Sequence, residues 1–310
     1  MRSSQIAHPP LATWRKPPAA CHVPSQVPRL SSLLLLAVVT LSPLPGAAEV
    51  PEGWATCLPP ATRAPASDAD VYRDMPFQPG ERAVYAVYYM GVRAGWSSFE
   101  VGAPTINRGN WYRVFRVDAR TGDWYKGIYE GHGHVFAMSR PQDFATRRFL
   151  LERSGRRVLS RWKTKKQMFE FSQTDCKVIH YRSQTGRPEQ IEEQSLPHGA
   201  MDILTAAYFI RSHHFQAGKP EQTQLFHEGK DYALHVNPVG NEAIDVPAGR
   251  FTALKMEAQA YRDGRPQDKG RFQIWVAQDH PSRPVVMVEA DVKLGQVNLQ
   301  LESFEPGASR

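Results

Sequence analysis

The chain predicts a mainly β fold: a curled antiparallel meander of about a dozen strands, a half-barrel or open barrel around one buried central helix. Three observations predict it. Short β-branched and aromatic runs alternate with Gly, Pro and Asn turn signals along residues 77–305. Only residues 199–215, "GAMDILTAAYFIRSHHF", read clearly as a helix, and that helix is apolar almost all round. No repeat with the period of a propeller blade or solenoid unit is visible. A sheet this long must curl, split or close, and a greasy helix can then fill its concave face.

Residues 1–48 read as an export signal. The apolar run from Leu30 to Leu44 follows basic residues and precedes "PGAAEV", where Gly46 and Ala48 suit a cut before Glu49. The run is too short and too broken to span a bilayer well. No Cys stands where a lipoprotein signal needs one. The expected product is a periplasmic or otherwise exported protein, not an integral membrane protein. Those 48 residues hold four bases and no acid, so without them 34 bases face 31 acids, a net charge of +3. That weakens a whole-protein argument for nucleic acid, and none is expected as a partner. Export permits disulfides. Cys57 and Cys176 are the cysteines left, so either they form one bridge or two thiols stay free.

Residues 49–76, rich in Pro, Ala and Ser, read as a linker, and 306–310 as a tail. Between them one β-rich domain is expected. Ala83–Met90 is apolar on both faces, and Gly91–Gly95 can turn the chain into Trp96–Val101. Further strands are expected at 111–119, 123–136, 144–152, 157–165, 168–172 and 177–182. After the helix come 222–228, 231–238, 242–246, 253–261, 272–277, 285–291 and 296–304. Asp202 is the expected N-cap, its carboxylate accepting from the free amides of the first turn. "VPAG" at 246–249 suits a tight turn.

Four stretches, "FQPGERAVYAVYYMGVRAGWSSFEV", "MDILTAAYFIRS", "VPAGRFTALKMEAQ" and "FQIWVAQDHPSRPVVMVEADVKLGQVNLQLESF", stand in one order. Together they resemble the bacterial exported family of unknown function numbered 3108, over roughly Phe77 to Phe304. The resemblance implies export and carries over no activity and no catalytic residue. The chain departs from the family at Asp202-Ile203, where a Pro is expected after the Asp. The cap survives and only the fixed φ of a first-position Pro is lost. The curled sheet with an inner helix is also similar to the half-barrel of periplasmic lipoprotein carriers, a likeness of fold that does not settle function.

Few residues suggest chemistry. His132, His134 and Glu130 in "YEGHGHVF" would share one face of a strand, but a zinc site needs three or four ligands. No HExxH, paired CxxC, GxSxG or phosphate loop occurs. Ser160-Arg161-Trp162-Lys163 matches SxxK in a run that does not read as a helix. No catalytic residue, metal or cofactor is expected. Residues 147–166 hold nine bases and one acid. Of these, Arg156, Arg157, Arg161, Lys163 and Lys165 are the candidates for contact with an anionic envelope surface. Tyr88, Trp124, Tyr208, Phe209 and Trp275 are the candidates for lining an apolar cavity. The expected function is a non-enzymatic binding or carrier domain for an apolar or amphipathic envelope ligand. The alternative is a structural or assembly partner of another envelope protein. A hydrolase stands behind both.

Overall fold

The computed structural model describes residues 67–308, except 128, 158, 198, 293 and 294 and the side chains of 124 and 268–270. The export signal, most of the expected linker and Cys57 lie outside the described residues. A four-residue helix, α1 (Asp68–Val71), comes first. Eight strands follow: β1 (Arg82–Tyr89), β2 (Val92–Asn107), β3 (Asn110–Thr121), β4 (Tyr129–Ser139), β5 (Thr146–Arg157), β6 (Lys163–Ser172), β7 (Lys177–Gln184) and β8 (Arg187–Ser195). Helix α2 (Ile203–Ser212) leads to β9 (Glu221–His227), β10 (Lys230–Val246), β11 (Gly249–Arg262), β12 (Arg265–Ala277), β13 (Val285–Val292) and β14 (Gly295–Glu305).

All fourteen strands form one antiparallel sheet in the order β8 to β1, then β14 to β9. The chain therefore starts at the middle of the sheet and meanders to one edge. It crosses through α2 to the other edge and meanders back, until β14 pairs with β1. This open, curled sheet is the architecture that the strand spacing predicts. Its two halves meet across the concave face: Phe169 and Phe171 of β6 pack edge-on against Phe226 of β9, with ring centroids 5.9 and 5.6 Å apart.

Residues 200–201 join the halves at one place. The Thr146 amide donates to the Ala200 carbonyl at 3.1 Å, and the Phe226 amide donates to the Met201 carbonyl at 2.8 Å. The lead-in to the helix thus bridges β5 and β9, and satisfies backbone groups that an open seam would leave bare.

Several local expectations change. The segment 123–136 opens with a 3₁₀ turn, Asp123–Gly127, before β4 begins. The break expected between strands 144–152 and 157–165 is absent: β5 runs on through Ser154-Gly155 to Arg157, and β6 begins at Lys163, so the middle of the expected strand 157–165 is the tip of the β5–β6 hairpin. Pro238 does not end a strand, because the register shifts there and β10 runs on to Val246. The charged segment Arg187–Ser195 is an edge strand, almost wholly exposed. Its Arg, Glu and Pro residues suit such an edge because charges and Pro discourage pairing with other chains. The end of the expected linker belongs to the core: Val71 and Tyr72 are buried, and the Tyr72 hydroxyl donates to the Gly102 carbonyl at 2.9 Å.

Candidate functional site

Helix α2 is tied down at both ends. At its start, the Asp202 carboxylate accepts from the amides of Leu204 (2.8 Å) and Thr205 (3.0 Å). It also accepts from the hydroxyls of Thr205 (2.6 Å) and Thr146 (2.7 Å). The Asp202 amide in turn donates to the Thr146 hydroxyl at 2.7 Å. Burial pushes the Asp202 carboxyl up, and these donors pull it back. At the other end, Arg211 grips the Glu81 carboxylate with both terminal nitrogens, Nη2 to Oε2 at 2.7 Å. Its Nε donates to the Arg283 carbonyl at 2.9 Å.

Between these ties the helix packs closely against β3 and the β4–β5 connection. Tyr208 stacks flat on Phe115 of β3, with centroids 3.9 Å apart and planes 9° apart. Phe77 meets Tyr208 edge-on at 5.1 Å, and Phe209 meets Phe144 at 5.7 Å. Toward β10–β14 the packing is incomplete. A cavity of about 110 Å³ lies there. Ile203, Ala206, Ala207 and Ile210 line it from the helix, and Tyr85, Phe272, Ile274, Val285, Val288 and Leu299 from the sheet. Arg211 is the charged group on its wall, and its charge is already met by Glu81. Ile203, Ala207, Ile274, Val285 and Val288 are only half-buried, so the cavity opens as an apolar cleft along one flank of the helix.

Of the aromatic candidates, Tyr208 lines this cavity. Phe209 points to the β4–β5 connection instead. Trp275 is buried on the opposite face of the sheet. There its indole N–H donates to the Glu242 carboxylate, and the Lys255 ammonium lies 5.0 Å above the ring. Tyr88, half-buried on β1 beside Asn298, is not on the cavity wall. The side chain of Trp124 lies outside the described residues. The sequence did not single out Ile203, Ala207 or the strand residues opposite, because an apolar lining looks like ordinary core. The Glu81–Arg211 pair was missed too. One arginine inside a greasy helix was the available signal.

The basic run does not form one patch. Arg153 turns inward, 3.9 Å from Glu228, and burial pulls its guanidinium down. Arg148 pairs with Glu170 across the strands. The tip of the hairpin carries Arg156, Arg157, Arg161, Lys163 and, at the start of β6, Lys165, all exposed. Leu159 stands fully in solvent, in the left-handed region at φ 61°. Trp162 is 39% exposed, with the Arg156 guanidinium 5.5 Å from its ring. Arg156 also donates to Glu130 at 2.8 and 3.0 Å.

His132 and His134 share the outer face of β4, but they do not converge with a third ligand. His134 Nδ1 lies 3.0 Å from an Asp118 oxygen, and His132 packs against Trp162 at 5.6 Å. No cluster of three or more His, Cys, Asp or Glu suited to a metal forms among the described residues. Ser160 does not face a lysine base. Its hydroxyl donates to the Arg157 carbonyl at 2.9 Å. Cys176 is disulfide-bonded.

No functionally curated protein matches the chain. Solved structures do. One is a β-barrel-like protein of the domain of unknown function DUF1849 from Brucella abortus, at 13% identity and a TM-score of 0.47 over 74% of this chain and 98% of that one. A second, from Bacteroides fragilis, is described as exported with a YmcC-like fold, at 11% identity and TM-score 0.30 over 74% and 98%. A third, from Parabacteroides distasonis, is described as a lipoprotein, at 14% identity and TM-score 0.31 over 75% and 98%. Likeness this distant says nothing of activity. The family model of the protein of unknown function DUF3108 matches residues 84–302, from within β1 to within β14 and including α2, and the chain belongs to that family.

Proposed function

We propose that the chain is a non-enzymatic binding module for an amphiphile of the bacterial envelope, which takes an apolar chain into the cleft beside α2. The observation that carries this reading is an asymmetry. The helix is capped against Thr146 and stacked on Phe115 along one flank, and Arg211 pins its end to Glu81, yet an apolar cavity remains along the other flank toward β12–β14. A void left by chance in a core tends to close, because unfilled apolar volume costs packing energy.

Size limits the guest. An apolar cavity of about 150 Å³ admits a benzene-sized molecule, and drug-sized sites run from roughly 300 Å³ upward. A cavity of about 110 Å³ therefore suits a segment of one hydrocarbon chain, with the remainder lying along the open cleft. It is too small to enclose a two-chain lipid.

The apolar run near the N-terminus supports export, and no helix among the described residues is long and apolar enough to cross a membrane. The exposed Leu159 and Trp162, flanked in sequence by the exposed Arg156, Arg157, Arg161 and Lys163, support docking of the hairpin tip on an anionic bilayer surface.

A tryptophan at Ala207 would fill the cleft. Ala207→Trp is expected to abolish uptake of a fluorescent single-chain fatty acid while the fold remains. Equal uptake by this variant and the native chain would refute the cleft as the site.

A further inference from the structure

A second cavity, of about 270 Å³, opens at the rim of the sheet where the β2–β3 turn, the β4–β5 connection and the β6–β7 turn come together. Its wall is cationic. Arg108, Arg140 and Arg147 all line it, with Gln142, Gln173 and the ring of Trp111. Among the described residues no carboxylate lies on the wall. Nearby, Asp143 pairs with Arg140 at 3.0 Å, and Asp175 accepts from the Ser172 hydroxyl at 2.6 Å. Arg147 spends one N–H on the Phe171 carbonyl at 3.0 Å. The Nε of Arg140 is buried and has no hydrogen-bond partner among the described residues. A buried N–H of a guanidinium without an acceptor is costly, and its natural complement is an anionic oxygen.

We propose that this rim cleft binds an organic phosphate through Arg108, Arg140 and Arg147, with the organic part against Trp111. Three guanidinium groups face one nearby partnering carboxylate, so the site favours a dianion over a monoanion. A phosphate monoester carries about −1.5 to −2 at neutral pH and offers oxygens that match the arginine fork. The phosphate belongs either to a free small molecule or to a lipid headgroup. This site shares no lining residue with the apolar cleft, so it stands whether or not the cleft binds a chain.

Calorimetric titration of the whole protein tests it with two probes: phenyl phosphate, and dihexanoyl phosphatidate kept below its micelle concentration. Saturable binding of either probe, weakened about tenfold or more in Arg140→Gln and in Arg147→Gln, is the expected result. Tighter binding of phenyl phosphate assigns a free metabolite, and tighter binding of the phosphatidate assigns a headgroup. Arg265→Gln, at the exposed start of β12, should bind as the native chain does. If Arg140→Gln or Arg147→Gln does not fold, Arg108→Gln on the exposed β2–β3 turn decides, and an unchanged affinity there overturns the proposal. So does the absence of saturable binding of both probes up to ~10 mM, a range covering affinities of about −3 kcal/mol and tighter, or an equal loss in Arg265→Gln.

Discussion

Arg211 of the helix and Glu81, the residue before β1, form a two-pronged ion pair inside the protein, with side chains only 5% and 2% exposed. The same guanidinium donates to the Ser282 and Arg283 carbonyls of the β12–β13 connection. It also lies 5.3 Å from the Phe77 ring centre and 5.8 Å from that of Tyr208. One side chain thus joins the helix, the lead-in to the central strand and a distant loop. Burial pushes the Glu81 carboxyl up, opposed by the bonds and charge of Arg211. Burial also works against the charge of Arg211, which its bonds to Glu81 hold in place. Removing one partner leaves the other charge buried alone. Arg211→Met should therefore lose about 3–5 kcal/mol of stability, while Glu81→Leu with Arg211→Met should recover most of it. Urea denaturation of the three proteins measures this.

A glycine pair sets the packing of the β4–β5 ladder. Gly131 and Gly155 face each other across the strands, and the Tyr129 ring lies over both. A Cβ at Gly155 would collide with the Tyr129 hydroxyl, and one at Gly131 with the same ring. Gly155→Ala should cost about 1–3 kcal/mol through displacement of Tyr129. Gly127→Ala, where a Cβ meets nothing within 4 Å, should change stability by no more than about 0.5 kcal/mol. Thermal melts of the two variants make the comparison.

His180 predicts a pH dependence. It is buried, stacks on Phe169 at 3.9 Å, and has Nε2 3.2 Å from the Gln167 side-chain oxygen. Burial, helped by the charges of Arg182 and Lys165, lowers its pKa from 6.5 to about 4. Above pH 6.5 the imidazole is neutral in both folded and unfolded chains, and its contribution is fully present. As pH falls from there to about 4, the unfolded chain takes up the proton first and stability is lost. The loss is at most about 3 kcal/mol. The raised carboxyls of Glu81 and Asp202 act in the opposite sense, so the comparison with His180→Gln isolates the imidazole. Native and variant stabilities should differ most near neutral pH, and the gap should narrow by pH 4.5. A constant gap in denaturation at both pH values would disprove this.

The hairpin tip predicts salt-dependent membrane contact. Replacing Arg156, Arg161 and Lys163 by Gln should weaken sedimentation with anionic vesicles by about 1 kcal/mol per charge at low salt. The difference should shrink as ionic strength rises. Leu159→Ser should weaken binding at every salt concentration, since apolar insertion is not screened. Identical sedimentation of all three proteins would rule out a role for this tip.

Strand alternation and turn residues make most of the sheet legible in the sequence, and the helix and its cap are legible there too. Asp202 caps α2 with the acceptor geometry that its chemistry demands. The misreadings are local. Ser154-Gly155 looks like a turn because Gly usually ends strands, yet here Gly155 makes room for Tyr129 inside one. Arg187–Ser195 has no apolar alternation because neither of its faces is buried, so a periodicity argument could not find it. The cleft was less legible than the fold. Trp275 draws attention by its size, yet it is spent on Glu242 and Lys255 outside the cavity. Ala207 and Ile203, which do line the cavity, are ordinary helix residues until the sheet is placed beside them.

The apolar cleft beside α2 is proposed to hold a hydrocarbon chain. Native mass spectrometry of the protein, purified gently from the envelope of cells that make it and then extracted with solvent, tests it most directly. The expected result is a reproducible added mass that extracts as a single-chain or amphipathic lipid and is missing from Ala207→Trp. A mass equal to the bare chain, with no uptake when envelope lipid is added back, would contradict it.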